Sequence, residues 1–252
     1  MLNKIIDQRL AVANTLGIEI DRILIFVETI TEIEAFRKLN FYHFEFINRN
    51  LEQGTISHIF FWKNIALELV RIEDRELAIR YAAQTNMNIV ARTQWRRNQA
   101  SPFGFVLRYA ASQQPKSRRR CDNVDQQEIT NNQTYWQINY SSKNLQELKE
   151  PVCYIVPKSL TCKNLLDNAS AIKQRLLFYQ SGTSKLTNIQ ITLNTSKPLS
   201  NTVSLISALN LITIEQGNYP KLKLEFDNGY QREIFSYICD NTNSNLLLML
   251  SI

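Results

Sequence analysis

A few side chains in this 252-residue chain stand where a folded protein resists placing them, and those are the candidates for chemistry. Glu68 is the first. It lies inside the apolar run Ile65 to Ile72, IALELVRI, which reads as a strand. Alternation puts Glu68 on one face with Ala66, Val70 and Ile72, and Ile65, Leu67 and Leu69 on the other. An unpaired buried carboxylate costs several kcal/mol, so Glu68 calls for a partner, a metal, a ligand or an open cleft. Arg22 poses the same question in Ile18 to Val27, IEIDRILIFV. Parity groups Arg22 with Leu24 and Phe26, and Asp21 with Ile23, Ile25 and Val27. A guanidinium fork suits planar carboxylates, so Arg22 and Glu68 form a candidate ion pair that either recognises a ligand or satisfies two awkward charges.

His58 lies on the Trp62 face of the preceding apolar run, Ile56 to Trp62. It reads either as a hydrogen-bonded core residue or as a general base, and no G-x-S-x-G nucleophile motif accompanies it. Trp62 and Phe60 are core or cleft wall. The segment Ser101-Pro102-Phe103-Gly104, with Arg108 behind it, could offer backbone N–H groups and the Ser101 hydroxyl to a ligand. Its alternative is a rigid turn in which Gly104 permits close packing. The ligand-binding candidates are therefore Arg22, His58, Trp62, Glu68, Ser101, Phe103 and Arg108.

Composition removes several other chemistries. The four cysteines (Cys121, Cys153, Cys162, Cys239) have no CxxC spacing, and with two histidines in the chain a zinc site is disfavoured. Free thiols and the absence of a signal-peptide core point to a cytoplasmic protein. No apolar run reaches the roughly 18 residues of a membrane-spanning helix. The net charge of +6 gathers at Arg92, Arg96 and Arg97 around Trp95, and at Lys116 to Arg120. The second run reads as a solvated loop. Without an RNA- or DNA-binding motif it predicts weak polyanion attraction and no specific nucleic-acid site. Gly54-Thr55 lacks the lysine and glycines of a phosphate loop. Cys121 lies in the basic loop with no resolving thiol in evidence and is read as incidental.

The elements that must position these residues follow in order. Residues 1–17 suggest a short amphipathic helix and Ile18 to Val27 a strand. Thr29 to Asn40 reads as a helix capped by Thr29 or Thr31, with Glu32 and Glu34 at its positive end. Phe41 to Asn48 alternates as a strand, and Lys63-Asn64 joins Ile56–Trp62 to Ile65–Ile72 as a two-residue hairpin. A helix from Glu73 to Gln84 follows, then a strand-like Ile89 to Trp95 and a strand starting at Phe105. Tyr135–Tyr140 and Val152–Val156 are short strands, and Leu160–Tyr179 contains a helix. From Leu186 the opening order returns. Asn188–Leu193 is a strand, Leu199–Leu211 a helix, and Ile212–Gln216 and Leu222–Phe226 are strands. Asp227-Asn228-Gly229 is a turn and Leu246–Ile252 a closing strand.

The pattern GTxxxxFFxxNxxLELxxxxD, here Gly54, Thr55, Phe60, Phe61, Asn64, Leu67, Glu68, Leu69 and Asp74, is followed by SPFGxxLR at Ser101–Gly104, Leu107 and Arg108. It resembles glyoxalase-like members of the vicinal oxygen chelate (VOC) superfamily over residues 18–109, with LEFDNG (Leu224 to Gly229) resembling part of the second module. The resemblance implies an α+β fold: paired βαβββ modules (18–72 and 186–252) forming a half-barrel cleft, with an inserted connecting segment (73–185), in one domain spanning 1–252. It also implies a divalent metal held by a His or Gln near the start of the first strand and a Glu on the fourth. Glu68 matches the Glu, but Arg22 after Asp21 stands at the other position, Asn188 at its counterpart, and the last strand offers no carboxylate. A guanidinium cannot ligate a metal. The expectation is a protein that needs no metal or other cofactor and binds a small anionic or carbonyl-containing molecule between the modules, as monomer or homodimer. The alternatives are a metal-dependent lyase, isomerase or dioxygenase of the same superfamily, and a non-catalytic interaction protein.

Overall fold

A computed structural model describes residues 17–39, 44–62, 64–110, 139–140, 142–167, 185–207, 212–226, 234–238 and 247–251. In chain order the elements are β1 (Ile18–Phe26), α1 (Ile30–Leu39), β2 (Phe44–Asn50), β3 (Thr55–Phe61), β4 (Ala66–Ile72), α2 (Arg75–Thr85), α3 (Ile89–Thr93), α4 (Trp95–Asn98) and β5 (Phe103–Tyr109). There follow β6 (Asn139–Tyr140), α5 (Ser142–Gln146), β7 (Val152–Ile155), a 3-10 turn (Lys158–Leu160) and α6 (Cys162–Asp167). The last part holds β8 (Leu186–Leu193), α7 (Asn201–Ile206), β9 (Ile212–Gln216), β10 (Lys221–Phe226), β11 (Ile234–Ile238) and β12 (Leu247–Ser251).

Local chemistry accounts for the elements around the candidate residues. In α1, Glu32 reaches back so that its Oε2 accepts from the backbone N–H of Glu28 at 2.8 Å and of Thr29 at 2.9 Å, a carboxylate capping the positive end. Ile33 and Phe36 bury its apolar stripe. The hairpin closes as its sequence predicts: Phe61 pairs with Ala66, and the Trp62 N–H donates to the Ile65 carbonyl at 2.9 Å across Lys63-Asn64. Asp74 caps α2 by accepting from the N–H groups of Glu76 and Leu77, both at 3.0 Å. Gly54 sits beneath that cap with φ +63°, and its carbonyl accepts from the N–H groups of Glu73 and Asp74. A Cβ there would run into the Asp74 carbonyl oxygen and lie 2.8 Å from Leu77 Cβ. The Gly54…Asp74 part of the sequence pattern thus seats the hairpin against the start of α2.

Two sheets result. The larger has the order β2-β3-β4-β1-β5-β7-β6, with β1 parallel to β4 and antiparallel to β5. The smaller has the order β12-β11-β10-β8-β9. One face of the large sheet (Ile23, Ile25, Phe60, Leu67, Leu69, Phe103, Phe105) shares a core with Ile33 and Phe36 of α1 and with Ile189, Ile191, Leu222, Leu224 and Phe226 of the small sheet. Asn64 fastens the joint. Its side chain donates to the Leu186 carbonyl at 2.8 Å and accepts from the Leu186 N–H at 3.0 Å, as a neighbouring strand would. The opposite face carries Leu24, Phe26, Val70, Val106 and Val152 against Met87, Ile89 of α3 and Leu145 of α5; beside them Ile59, Phe61 and Ala66 meet Cys162.

The class is α+β, as expected, and several boundaries differ. Residues 89–98 form α3 and α4 instead of a strand. Asn88 accepts from the Ala91 N–H at 2.9 Å and starts a turn, which decides a short apolar run that periodicity leaves ambiguous. β5 begins at Phe103, because Gly104 lets it run against β7: a Cβ there would lie 2.8 Å from Val152 Cγ1. β2 is described from Phe44 and runs on to Asn50, past the expected Asn48, and α7 begins at Asn201 and not at Leu199. β11 was not expected, and it makes the second unit a five-stranded sheet in which β8 lies between β9 and β10. In the first unit β1 follows β4 in an unbroken 2-3-4-1 order, whereas the second unit has four strands after its helix instead of three and places β9 outside β8. The expected N-terminal helix at residues 1–16, the basic loop 116–120, residues 135–138 and 168–179, and the turn at 227–229 lie outside the described residues.

Candidate functional site

The site is organised by a break in β1. Ile20 pairs with Leu107 and Arg22 with Val106, so Asp21 is an extra residue opposite no partner, a β-bulge. Bulges re-aim side chains. Here Asp21, expected on the face opposite Arg22, turns its carboxylate to Arg22, with Nη1 3.0 Å from Oδ2. Arg108 reaches the other oxygen, Nη1 to Oδ1 at 3.3 Å, and places Nε 3.1 Å from Glu19 Oε2 at the sheet's surface. Parallel pairing sets Leu24 level with Glu68, two residues on from Arg22, and Arg22 Nε lies 2.6 Å from Glu68 Oε2. The contact is oblique to the N–H axis, an ion pair more than an aligned hydrogen bond.

The connecting segment closes over this pair. Arg22 Nη1 also donates to the Leu160 carbonyl at 3.0 Å and to Cys162 Sγ at 3.6 Å, while the Cys162 N–H donates to both Asp21 oxygens at 3.1 and 2.9 Å. The charges are buried: Asp21 is 0% exposed, Arg22 8% and Glu68 7%. Burial alone would pull the Arg22 guanidinium down, but the carboxylates, Glu68 foremost and Asp21 with it, hold it well above its ordinary value. Burial, and then the charge of Glu68, push the nearby Tyr154 phenol up. Burial likewise raises the Cys162 thiol, so it is a neutral, unreactive contact.

The expected cleft between the modules is not where this pair lies. Arg22 and Glu68 share their face with Leu24 and Val70, and the small sheet packs on the other one, through Leu67 and Leu69. The candidates therefore divide. Arg22, Glu68 and Arg108 come together, joined by Asp21, Tyr154, Cys162 and the Leu160 carbonyl, which sequence reasoning missed. Adjacent Asp21-Arg22 was the one signal available; the others come from a segment with no recognisable pattern.

His58, Trp62, Ser101 and Phe103 do not belong to this cluster. Trp62 is 2% exposed, its ring 5.1 Å from that of Phe226 between the sheets. Phe103 is wholly buried core. Ser101 is the rigid-turn alternative: its N–H donates to the Leu148 carbonyl at 2.6 Å, its hydroxyl accepts from the Phe103 N–H at 3.3 Å, and its carbonyl accepts from Arg92 at 3.3 Å. Buried Arg92 also donates to the Glu150 carbonyl at 2.8 Å, and burial draws its guanidinium down to about 10. His58 forms a separate group. Its Nδ1 stands 2.7 Å from Glu45 Oε1, and Arg37 grips the same carboxylate through Nε and Nη2. Burial would raise the Glu45 carboxyl, but the bonds from His58 and Arg37 outweigh it and lower the value. Arg37 Nη2 also lies 3.0 Å from His58 Nδ1, so the imidazole, the guanidinium and the carboxylate form one cluster.

Arg96 and Arg97 beside Trp95 each pair with an acid, Arg97 from an exposed position. Arg96 lies 4.1 Å over the Trp95 ring and donates to Glu32 at 2.9 Å, and Arg97 is 3.0 Å from Glu28. A divalent metal of the kind the resemblance implies does not fit the Arg22 position. The guanidinium stands between Asp21 and Glu68 and claims the carboxylates a cation would need. Among the described residues no group of three or more His, Cys, Asp or Glu side chains is placed to hold one. Nor is any helix among them long and apolar enough to cross a membrane.

Fold and site together define an α+β protein with a buried acid–guanidinium network on one face of its large sheet. No protein-family model matches the chain, and no curated protein matches it. A solved structure described as a hypothetical protein from Staphylococcus aureus is similar over 84% of this chain and 82% of that one, at 14% identity and a TM-score of 0.42. A likeness that distant carries no functional argument.

Proposed function

We propose that this chain is a glyoxalase-like, VOC-related protein that binds a small anionic or carbonyl-containing molecule without a metal, using Arg22 and Glu68 as the recognition pair. The observation that carries the reading is the state of that pair. Nε of Arg22 and Oε2 of Glu68 are covered and face each other, Nη1 is committed to Asp21, Leu160 and Cys162, and Nη2 and Oε1 make no hydrogen bond among the described residues. Binding sites combine a few convergent polar groups with apolar walls, and Leu24, Ile59, Ala66 and Val106 are apolar neighbours on that face. The β-α-β-β-β order of residues 18–72, with β1 parallel to β4, supports the family reading; the placement of β9 outside β8 departs from a simple second copy.

A second reading rests on the four bonds between Asp21 or Arg22 and residues 160–162: the network exists to hold the connecting segment on the sheet. The two are separated by a thermal-shift and calorimetric screen of small carboxylates and carbonyl compounds on chelator-treated protein. Bound ligand at 100 times its Kd stabilises by about 2.7 kcal/mol. Saturable stabilisation that disappears in Arg22→Gln supports recognition. Retained binding in a folded Arg22→Gln protein, or none in wild type, leaves the anchoring role alone.

A further inference from the structure

The outer edge of the large sheet carries a pattern that is complementary to itself. We infer that the chain pairs with a second copy of itself along β2, the two strands running antiparallel with Ile47 of one opposite Ile47 of the other.

β2 stands outermost in the order β2-β3-β4-β1-β5-β7-β6, and among the described residues no strand bonds to its outer side. It pairs with β3 from Phe44↔Phe61 to Asn50↔Thr55 in unbroken register. A regular strand leaves alternate N–H and C=O groups of its outer side turned away from its neighbour, open to another strand. Folded proteins commonly disable such an edge with a bulge, a proline or a very short strand. β2 has neither bulge nor proline and is 7 residues long. Its centre is apolar and open, with Ile47 52% exposed.

The charges on the strand select the partner. Alternation puts Glu45, Ile47 and Arg49 on one face, that of His58, which lies opposite Ile47 and contacts Glu45. An acid and a base thus stand two positions to either side of Ile47. A two-fold axis through Ile47 sets Glu45 of each copy opposite Arg49 of the partner subunit, two unlike pairs within cross-strand reach. Centring on Glu45 or on Arg49 would oppose like charges, and centring on Phe46 or Asn48 would set a charge against Ile47. Both groups keep capacity for the new contact. Arg49 holds Glu73 through Nε and Nη2, which leaves Nη1 to donate. Glu45 Oε2 accepts one bond, from Arg37 Nε at 2.9 Å, and a carboxylate oxygen can accept another. A strand of another protein would need the same reversed pattern, which a second copy brings by symmetry.

The test measures self-association of the full chain by analytical ultracentrifugation over a concentration series, for wild type and for Arg49→Glu, a position whose side chain is 58% exposed. Wild type should form a dimer that dissociates on dilution. Arg49→Glu should weaken it about tenfold or more, because both unlike pairs become like ones. A second pair of variants locates the contact. Under oxidation Ile47→Cys should link to its own copy, the two Cβ atoms lying about 5 Å apart, while Asn48→Cys, about 7–8 Å from its own copy across the pair, should not. Mass spectrometry reads the link at position 47, so the native thiols do not confuse it. A monomer at every concentration would overturn the inference and leave the edge open to a strand of another protein. A dimer that keeps its affinity in Arg49→Glu and does not link through position 47 would overturn it too, placing the interface elsewhere. Should Arg49→Glu fail to fold by circular dichroism, the cross-linking pair decides.

Discussion

The backbone N–H of Cys162 donates to both carboxylate oxygens of Asp21 across 141 positions of sequence. That contact ties the connecting segment to the one irregular point of β1, and it makes the cover of the Arg22–Glu68 pair depend on a bulge. Asp21→Asn keeps the size and removes the charge that Arg22, Arg108 and Cys162 share. Hydrogen exchange at residues 160–165 should quicken while β3 and β4 stay protected. Unchanged exchange there would show that the segment is held by its apolar contacts instead.

Glu68 and Arg22 should fail singly and tolerate joint replacement. Glu68→Ala leaves a buried guanidinium short of its nearest counter-charge, a loss of about 3–5 kcal/mol by analogy with broken buried pairs. The double variant Arg22→Met, Glu68→Met should recover most of that in denaturant titrations. Additive losses would mean that the two residues do not act as a pair.

Glu45 sets an acid limit. Its folded-state value lies below the ordinary 4.5, so its contribution is present above about pH 4.5 and is lost as pH falls through the lower folded value. Stability measured from pH 6 down to pH 3 should drop less steeply in Glu45→Gln than in wild type. Parallel curves would place the acid sensitivity elsewhere.

Two glycines of the sequence pattern answer to packing. Gly54→Ala puts a Cβ against the Asp74 carbonyl at a positive φ and should cost about 1–3 kcal/mol from the backbone alone, with the clash in addition. Gly104→Ala meets Val152 at 2.8 Å and should lower the melting temperature without strain in φ. A neutral result at either position would contradict the close approach described.

Much of the first unit was legible because its signals are local. The Asn64 hairpin, the place of Glu32 at the positive end of α1 and the alternation that sets Glu68 on the Ala66 face all depend on residues within a few positions of each other; that Glu32, and not a threonine hydroxyl, accepts the end's N–H groups was not read. Parity sets Arg22 and Glu68 each on one face of its strand, and the parallel pairing of β1 with β4 brings them together. Local reasoning went astray where distant chain decides. No spacing rule announces that Asp21 is bulged, and regular alternation therefore assigned it to the wrong face. The same holds for the layer on each face: parity shows that Glu68 and Leu67 point oppositely, but only the docking of the small sheet through Asn64 and Leu186 decides which side it covers. Pro102 and Gly104 drew attention to a segment whose polar groups are consumed by Leu148, Phe103 and Arg92.

The central claim is that Arg22 and Glu68 recognise a small molecule without a metal. Its most direct test is the ligand-induced melting shift of chelator-treated protein, wild type against Arg22→Gln, over the full probe set. The account predicts a saturable rise in wild type that added divalent ions do not increase and that Arg22→Gln abolishes. A rise that appears only when a divalent ion is restored, or that survives intact in a folded Arg22→Gln protein, would contradict it.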